Sequence, residues 1–209
     1  MSEGRKYLNS FYPLSSTRTG RKAVAKYQLP PYIDGSCRRE PDFENDFPCI
    51  TSLCRPGFAE KLKEGDIVIY ATNKKGVGAR KIVAELKVIK IFENHEEAGN
   101  WFRNKKTPIP NNLMVSETRP LDLDKTHQKM GWDEWVKSNN SLEQWNEEYI
   151  QRSKTKQKVA QCEIIYRNID KPSKLDERKL VNRKLVAQNP PILSEEEYQI
   201  IKDIINNEQ

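Results

Sequence analysis

Apolar residues along this chain fall into short runs separated by charged and polar stretches. The clearest run is Ile67-Val68-Ile69-Tyr70-Ala71, introduced by Gly65-Asp66. Its β-branched and aromatic content predicts a strand. Asn73-Lys74-Lys75-Gly76-Val77-Gly78 reads as a hairpin loop, with Lys81–Phe92 as the return strand. Ile82, Ala84, Leu86 and Val88 alternate there, but Ile89 and Ile91 switch the phase, which predicts a bulge in a long, bent strand. Cys49–Leu53 predicts a short central strand, closed by Pro56-Gly57 and followed by one or two helical turns over Phe58–Lys63. Lys22–Tyr27 alternates at Ala23, Ala25 and Tyr27 and predicts a first strand; Val159–Tyr166 and Leu180–Ala187 predict two late ones.

Helical spacing and capping pairs mark the remainder. Asn94 with Glu97 opens a short helix through Trp101 and Phe102. Trp132, Trp135 and Val136 share a helical face, and Ser141 with Gln144 caps a helix bearing Leu142, Trp145 and Tyr149. Ser194 with Glu197 caps a last helix carrying Tyr198, Ile201, Ile204 and Ile205. Residues 1–20 are polar and end in Ser15-Ser16-Thr17-Arg18-Thr19-Gly20, which predicts a flexible N-terminal arm. The fold class that follows is α+β: a small, bent, mostly antiparallel barrel-like sheet with peripheral helices. Residues 21–209 form one domain in this reading, and a Trp-rich helical insertion of about 93–155 packs on the barrel.

Composition narrows the function classes. Four Trp, eight Tyr and six Phe are too many aromatics for a disordered chain. No run approaches the roughly 18 apolar residues of a membrane span, and no apolar segment follows the basic residues near the N-terminus, so neither a membrane nor a secretory route is expected. Cysteines at 37, 49, 54 and 162 are few for a disulfide scaffold and suit reduced thiols in a cytoplasmic protein. A net charge of +6 favours an anionic partner, nucleic acid first.

Candidate chemistry centres on residues 30–57. Cys37, Cys49 and Cys54 suggest zinc, but the closest pair is C-x₄-C with no second pair, so no metal is assigned. Cys49 and Cys54 read instead as small buried hydrophobes. His95 and His127 carry no local catalytic signature, no phosphate-cradling glycine motif is present, and no organic cofactor is indicated. Five acids (Asp34, Glu40, Asp42, Glu44, Asp46) stand within thirteen positions. A carboxylate can accept from a base edge or act as a general base. It can equally pair with Arg38, Arg39 or Arg55 and hold the loop. Trp101, Trp132, Trp135 and Trp145 are mostly core by spacing, although an exposed ring among them would stack on a base. Residues 151–158 carry Arg152, Lys154, Lys156 and Lys158 with no acid, a pattern that tracks phosphates or marks a solvated helix end.

These segments resemble a known superfamily. Cys49-Ile50-Thr51-Ser52-Leu53-Cys54-Arg55-Pro56, a short helix, Gly65-Asp66 with its strand, and the long return strand look like the core of PUA-like domains of the EVE, ASCH and YTH type. Among these the chain most resembles the nucleotide-modification-associated domains, in which an Asp-x-Gly-type segment, a Cys-Thr-Leu-Ala-x-Cys-Lys-Pro strand and Gly-Asp recur. Asp34-Gly35, Cys49/Cys54, Arg55-Pro56 and Gly65-Asp66 occupy those places, with Ile50-Thr51-Ser52 replacing Thr-Leu-Ala. The resemblance covers about residues 22–92 and the late strands. It implies a pocket that encloses a flipped, modified base. Its residues would be Tyr32, Asp34, Ser36, Arg38, Thr51, Ser52 and Tyr70. Phosphate contacts would come from Lys74, Lys75, Arg80, Arg152, Lys154, Lys156 and Lys158.

Three functions remain open from sequence. The first is a nucleic-acid reader of a modified base, with DNA favoured over RNA, serving nucleotide modification or phage defence with an effector protein. The second is a glycosylase or base-modifying enzyme using Asp34, Glu40 or Asp42. The third is a protein–protein adaptor. The reader is favoured over the enzyme.

Overall fold

The computed structural model describes residues 4–35, 39–53, 57–74, 78–118, 150–176, 180 and 189–207. Its strands are β1 (Lys6–Phe11), β2 (Cys49–Ile50), β3 (Ile67–Thr72), β4 (Lys81–Phe92), β5 (Val159–Arg167) and β6 (Ser173–Lys174). Its helices are α1 (Arg18–Tyr27), α2 (His95–Lys105) and α3 (Glu195–Asn206). The six strands form one sheet in the order β1-β3-β4-β5-β2, with β6 on β4. Only β1 and β3 run parallel; the other pairings are antiparallel. The expected α+β class and bent, mostly antiparallel sheet are therefore present. The predicted bulge lies where expected, as a register shift between Val88 and Lys90, and a second shift falls between Glu85 and Leu86. Such shifts bend a strand and increase its twist.

Alternation along each strand sends side chains to two cores. Val68 and Tyr70 join Tyr7, Phe11, Leu86 and Val88 on one face, where Phe43 and Phe58 from the connecting segments pack over them. Ile69 and Ala71 join Leu8 and Ile82 on the other, under Ile201 and Ile205 of α3. Full burial of one such aliphatic side chain is worth about 1.5–3 kcal/mol. The capping box at Ser194/Glu197 sets where α3 starts. A buried polar clamp then fixes its pose: Glu85 of β4 accepts from Tyr198 Oη (2.6 Å) and Lys202 Nζ (2.8 Å). Asn94 caps α2 as expected, and Phe102 and Ala98 of α2 pack with Phe92, Leu113 and Val159.

Gly65-Asp66 has a local explanation. Gly65 takes a left-handed φ of 91°, and a Cβ built on facing Gly4 would fall 1.9 Å from the Gly65 carbonyl oxygen. Asp66 accepts from the Arg5 amide (2.8 Å) and the Lys63 amide (2.9 Å). One carboxylate thus ties together the segments that lead into β1 and β3.

Two expectations are corrected. Residues 6–11, placed by sequence in a flexible arm, form the wholly buried strand β1. Tyr7, Leu8 and Phe11 supply apolar area to both cores, and Lys6 is neutralised by Glu195 at 2.5 Å. Residues 191–193 hydrogen-bond along the outer edge of β1, through Leu8 N to Pro191 O and Leu193 N to Lys6 O. Residues 22–27, read as a strand, belong to α1. The Thr17 hydroxyl caps that helix by accepting from Gly20 N at 2.9 Å, and Arg, Lys and Ala are good helix formers. The run Phe58–Lys63 contains a short 3-10 turn at Ala59–Lys61, and the predicted strand Cys49–Leu53 is paired only at Cys49–Ile50. The helices proposed around Trp132 and Ser141 and the strand Leu180–Ala187 lie outside the described residues, apart from Leu180 itself.

Candidate nucleic-acid interface

At one end of the sheet, the chain leaves β1 and β3 side by side. Phe11 is in register with Thr72, and the Asn73 amide donates to the Phe11 carbonyl at 2.7 Å. The next residue, Tyr12, has 51% of its surface exposed, the largest value among the exposed large hydrophobic residues. The returning segment is zipped to it: Gly35 N donates to Tyr12 O (2.9 Å), and Asp34 bridges Pro13. A Cβ on Gly35 would sit 2.9 Å from the Tyr12 oxygen, so this approach requires glycine. Cations surround the same end. Lys81 Nζ lies 5.1 Å from the Tyr32 ring centroid, Arg80 donates to Thr72 O at 3.1 Å, Lys174 is in register with Lys81, and Lys74 is exposed. Lys75, Ser36 and Arg38 lie outside the described residues, as do Cys37, Cys54 and Arg55.

Residues 34–53 run from this end to β2, and their carboxylates are largely committed to holding that path. Arg39, at φ 52°, donates to the Asp34 carbonyl (2.8 Å) and to Glu44 (3.2 Å), and Asp34 Oδ1 accepts the Glu40 amide (3.2 Å). Asp42 accepts from Asn111 twice, at 3.0 and 2.9 Å. Glu40 serves the open edge of β2. Cys162 N bonds to Pro48 O, so the alternating backbone groups Cys49 O and Thr51 N point away from β5. Glu40 Oε1 accepts Thr51 N at 2.7 Å, the Thr51 hydroxyl bonds to Glu40 Oε2, and Asn112 Nδ2 bridges Glu40 (3.2 Å) and Cys49 O (2.7 Å). Burial raises the Glu40 carboxyl to about 7, against the Thr51 and Asn112 hydrogen bonds; the nearby Asp34 charge adds to the rise.

The remaining sequence candidates sit at defined places. Tyr70 is buried, its ring meeting Phe11 at 6.3 Å and Phe43 at 5.3 Å. Thr51 and Ser52 are buried, and Ser52 Oγ makes no hydrogen bond among the described residues. Tyr32 is half-buried against the first core. Residues 150–155 are helical, and Arg152 donates to Leu53 O at 2.7 Å, which sets the basic stretch against the far end of the same loop. Lys154 and Lys156 are exposed there; the Lys158 amide donates to Glu60. Trp101 packs among Phe47, Phe92 and Phe102, while Trp132, Trp135, Trp145 and His127 lie outside the described residues. His95 accepts the Met114 amide through Nδ1 at 3.1 Å. Among the described residues, no three His, Cys, Asp or Glu side chains form a metal-binding group; Cys49 and Cys162 are buried thiols whose titration burial pushes up.

Sequence reasoning passed over Tyr12 and Gln161. Tyr12 lay in the presumed arm and carries no motif. Gln161 is buried in β5, opposite Cys49 and Lys90, with neither end of its carboxamide hydrogen-bonded among the described residues. Its only signal was a carboxamide between Ala160 and Cys162 in an apolar run.

No family model matches the chain, and no curated protein matches it. Among solved structures it is similar to the crystal structure of a mutant ZmASCH protein from Zymomonas mobilis. The match spans 97% of this chain and 98% of that one, at 10% identity and a TM-score of 0.41. At that identity no residue assignment passes between the two.

Proposed function

We propose that this protein is a PUA-like nucleic-acid-binding domain that reads a base at the Tyr12–Asp34 end of the sheet. One observation carries the reading: exposed Tyr12 is backbone-zipped to Asp34-Gly35 at the end of the sheet where Arg80 donates to Thr72 O and Lys81 lies over the Tyr32 ring. A base stacked on such a ring gains about 1–3 kcal/mol, and neighbouring cations hold the flanking phosphates. Ser36 and Arg38, which follow Asp34-Gly35 in the sequence, are the candidates for the base edge. The favoured ligand is a modified base in DNA, taken out of its stack. Binding alone changes nothing in the ligand, so the reading includes an effector partner, as nucleotide modification or phage defence would need.

The reader is preferred to an enzyme because both Glu40 oxygens and both Asp42 oxygens already accept hydrogen bonds within the fold. Anisotropy titrations with DNA and RNA oligonucleotides, unmodified and base-modified, test this from 50 to 300 mM salt. Tyr12→Ala is expected to weaken binding by roughly 5- to 150-fold. Absence of binding at any salt leaves the adaptor. Release of a free base, lost in Asp34→Asn, establishes the enzyme instead.

A further inference from the structure

We infer that the outward face of α1 is a phosphate-binding ridge for the nucleic-acid backbone, beyond the cations assigned above. The inference rests on the nucleic-acid reading and names a further contact surface for it. Residues 4–33 contain six cations and no Asp or Glu. Four of those cations, Arg18, Arg21, Lys22 and Lys26, lie on α1, and all four are exposed. At 3.6 residues per turn they occupy an arc of about 140°. Gly20 and Ala23 on the opposite side are buried and Val24 is partly buried, so the helix is divided into a packed face and a cationic one.

The ridge is held firmly. A Cβ on Gly20 would lie 1.8 Å from Leu14 O, so α1 is pressed directly onto the turn before it. Arg21 Nη1 donates to Ser15 O at 2.9 Å, and the Thr17 cap fixes the first turn. The excursion that carries α1 leaves the sheet at Tyr12 and returns at Tyr32, with Leu14 N bonded to Ile33 O and Ser15 N to Pro31 O. The ridge is thus anchored on both sides to the segments that carry the two tyrosines.

Its dimensions suit a polynucleotide. Arg18 to Lys26 spans about 12 Å at 1.5 Å per residue. A duplex strand offers a phosphate about every 3.4 Å along its axis, so roughly three to four phosphates pass the ridge. An acid-free row of exposed cations imposes no base preference, and the predicted contribution is to affinity and salt dependence alone.

The test uses the full chain and a 30-base-pair duplex. Arg18→Gln/Lys22→Gln/Lys26→Gln is compared with Lys63→Gln/Lys87→Gln/Lys106→Gln, which removes the same charge from exposed positions elsewhere. The α1 variant is expected to make log K against log salt shallower by about 2–3, at about 0.9 per phosphate, and to bind about tenfold or more weakly at 0.15 M salt. The control is expected to stay within about twofold of wild type. Equal behaviour of the two triple variants overturns the inference. So does retention of duplex binding with loss of binding to phosphatidylserine vesicles, which would assign the ridge to a membrane surface. If the α1 variant does not fold, the single changes Arg18→Gln and Lys22→Gln replace it, each lowering the slope by about one. Should wild type bind no nucleic acid, the base-reading proposal falls with this one. Should salt dependence shift while no base preference exists, the ridge stands and base reading falls.

Discussion

Glu40 stands in for a neighbouring strand to Thr51, receiving its backbone amide at 2.7 Å while also bonding its hydroxyl. A two-residue edge strand exposes groups that invite foreign pairing, and a side chain that occupies them blunts the edge. Removing it leaves the Thr51 amide buried without a partner. Glu40→Ala is therefore expected to cost about 2–4 kcal/mol in urea denaturation. Glu40→Gln retains an acceptor for the amide and should cost about 1 kcal/mol. Equal losses in the two variants would mean that Glu40 acts by bulk alone.

The same carboxyl makes stability depend on pH. Its folded value of about 7 lies above the ordinary 4.5, so between these values the folded protein binds more protons than the unfolded chain. Stability from this group is thus fully present below about pH 4.5 and is lost as pH rises through 7. The difference between wild type and Glu40→Gln should change by about 3 kcal/mol across that window. Parallel profiles for the two proteins from pH 4.5 to 8 would show that Glu40 titrates normally.

What the sequence made legible was local. The β3–β4 hairpin strands, the bulge near Val88 and the caps at Asn94 and Ser194 each rest on residues a few positions apart. What it hid depends on distant partners. β1 is a strand because β3, sixty residues on, offers a parallel edge, and nothing within residues 1–20 encodes that pairing. Glu40 finds Asn112 across 72 positions. Ala23, Ala25 and Tyr27 fit a two-residue period, but a Thr17 cap and the packing of Gly20 on Leu14 decide for a helix. The acidic cluster was visible as composition; that Asp42 is spent on Asn111 was not.

Glu85 is fully enclosed, and its charge is balanced by Lys202 of α3 at 2.8 Å. Deleting one partner of a buried pair leaves an uncompensated charge. Lys202 remains partly exposed, which discounts the effect, so Lys202→Met is expected to cost about 2–3 kcal/mol. Tyr198→Phe removes only one hydrogen bond to the same carboxylate and should cost about 1–2 kcal/mol. Combining Lys202→Met with Glu85→Gln should recover part of the loss. A double variant less stable than Lys202→Met would show that the clamp does not act through this charge.

The N-terminal segment gives the sharpest separation of the sequence reading from the structure. An arm can be removed without consequence. Strand β1 cannot, because it lies between β3 and residues 191–193 and contributes Tyr7, Leu8 and Phe11 to both cores. Loss of those three side chains alone forgoes about 5–9 kcal/mol of burial, comparable to the whole stability of a typical domain. Deletion of residues 1–11 is therefore expected to abolish cooperative thermal unfolding by circular dichroism and to leave little soluble protein. Deletion of residues 1–3, which precede the Gly4–Gly65 contact, should leave the melting curve essentially unchanged. A cooperative melt in the longer deletion would restore the flexible arm.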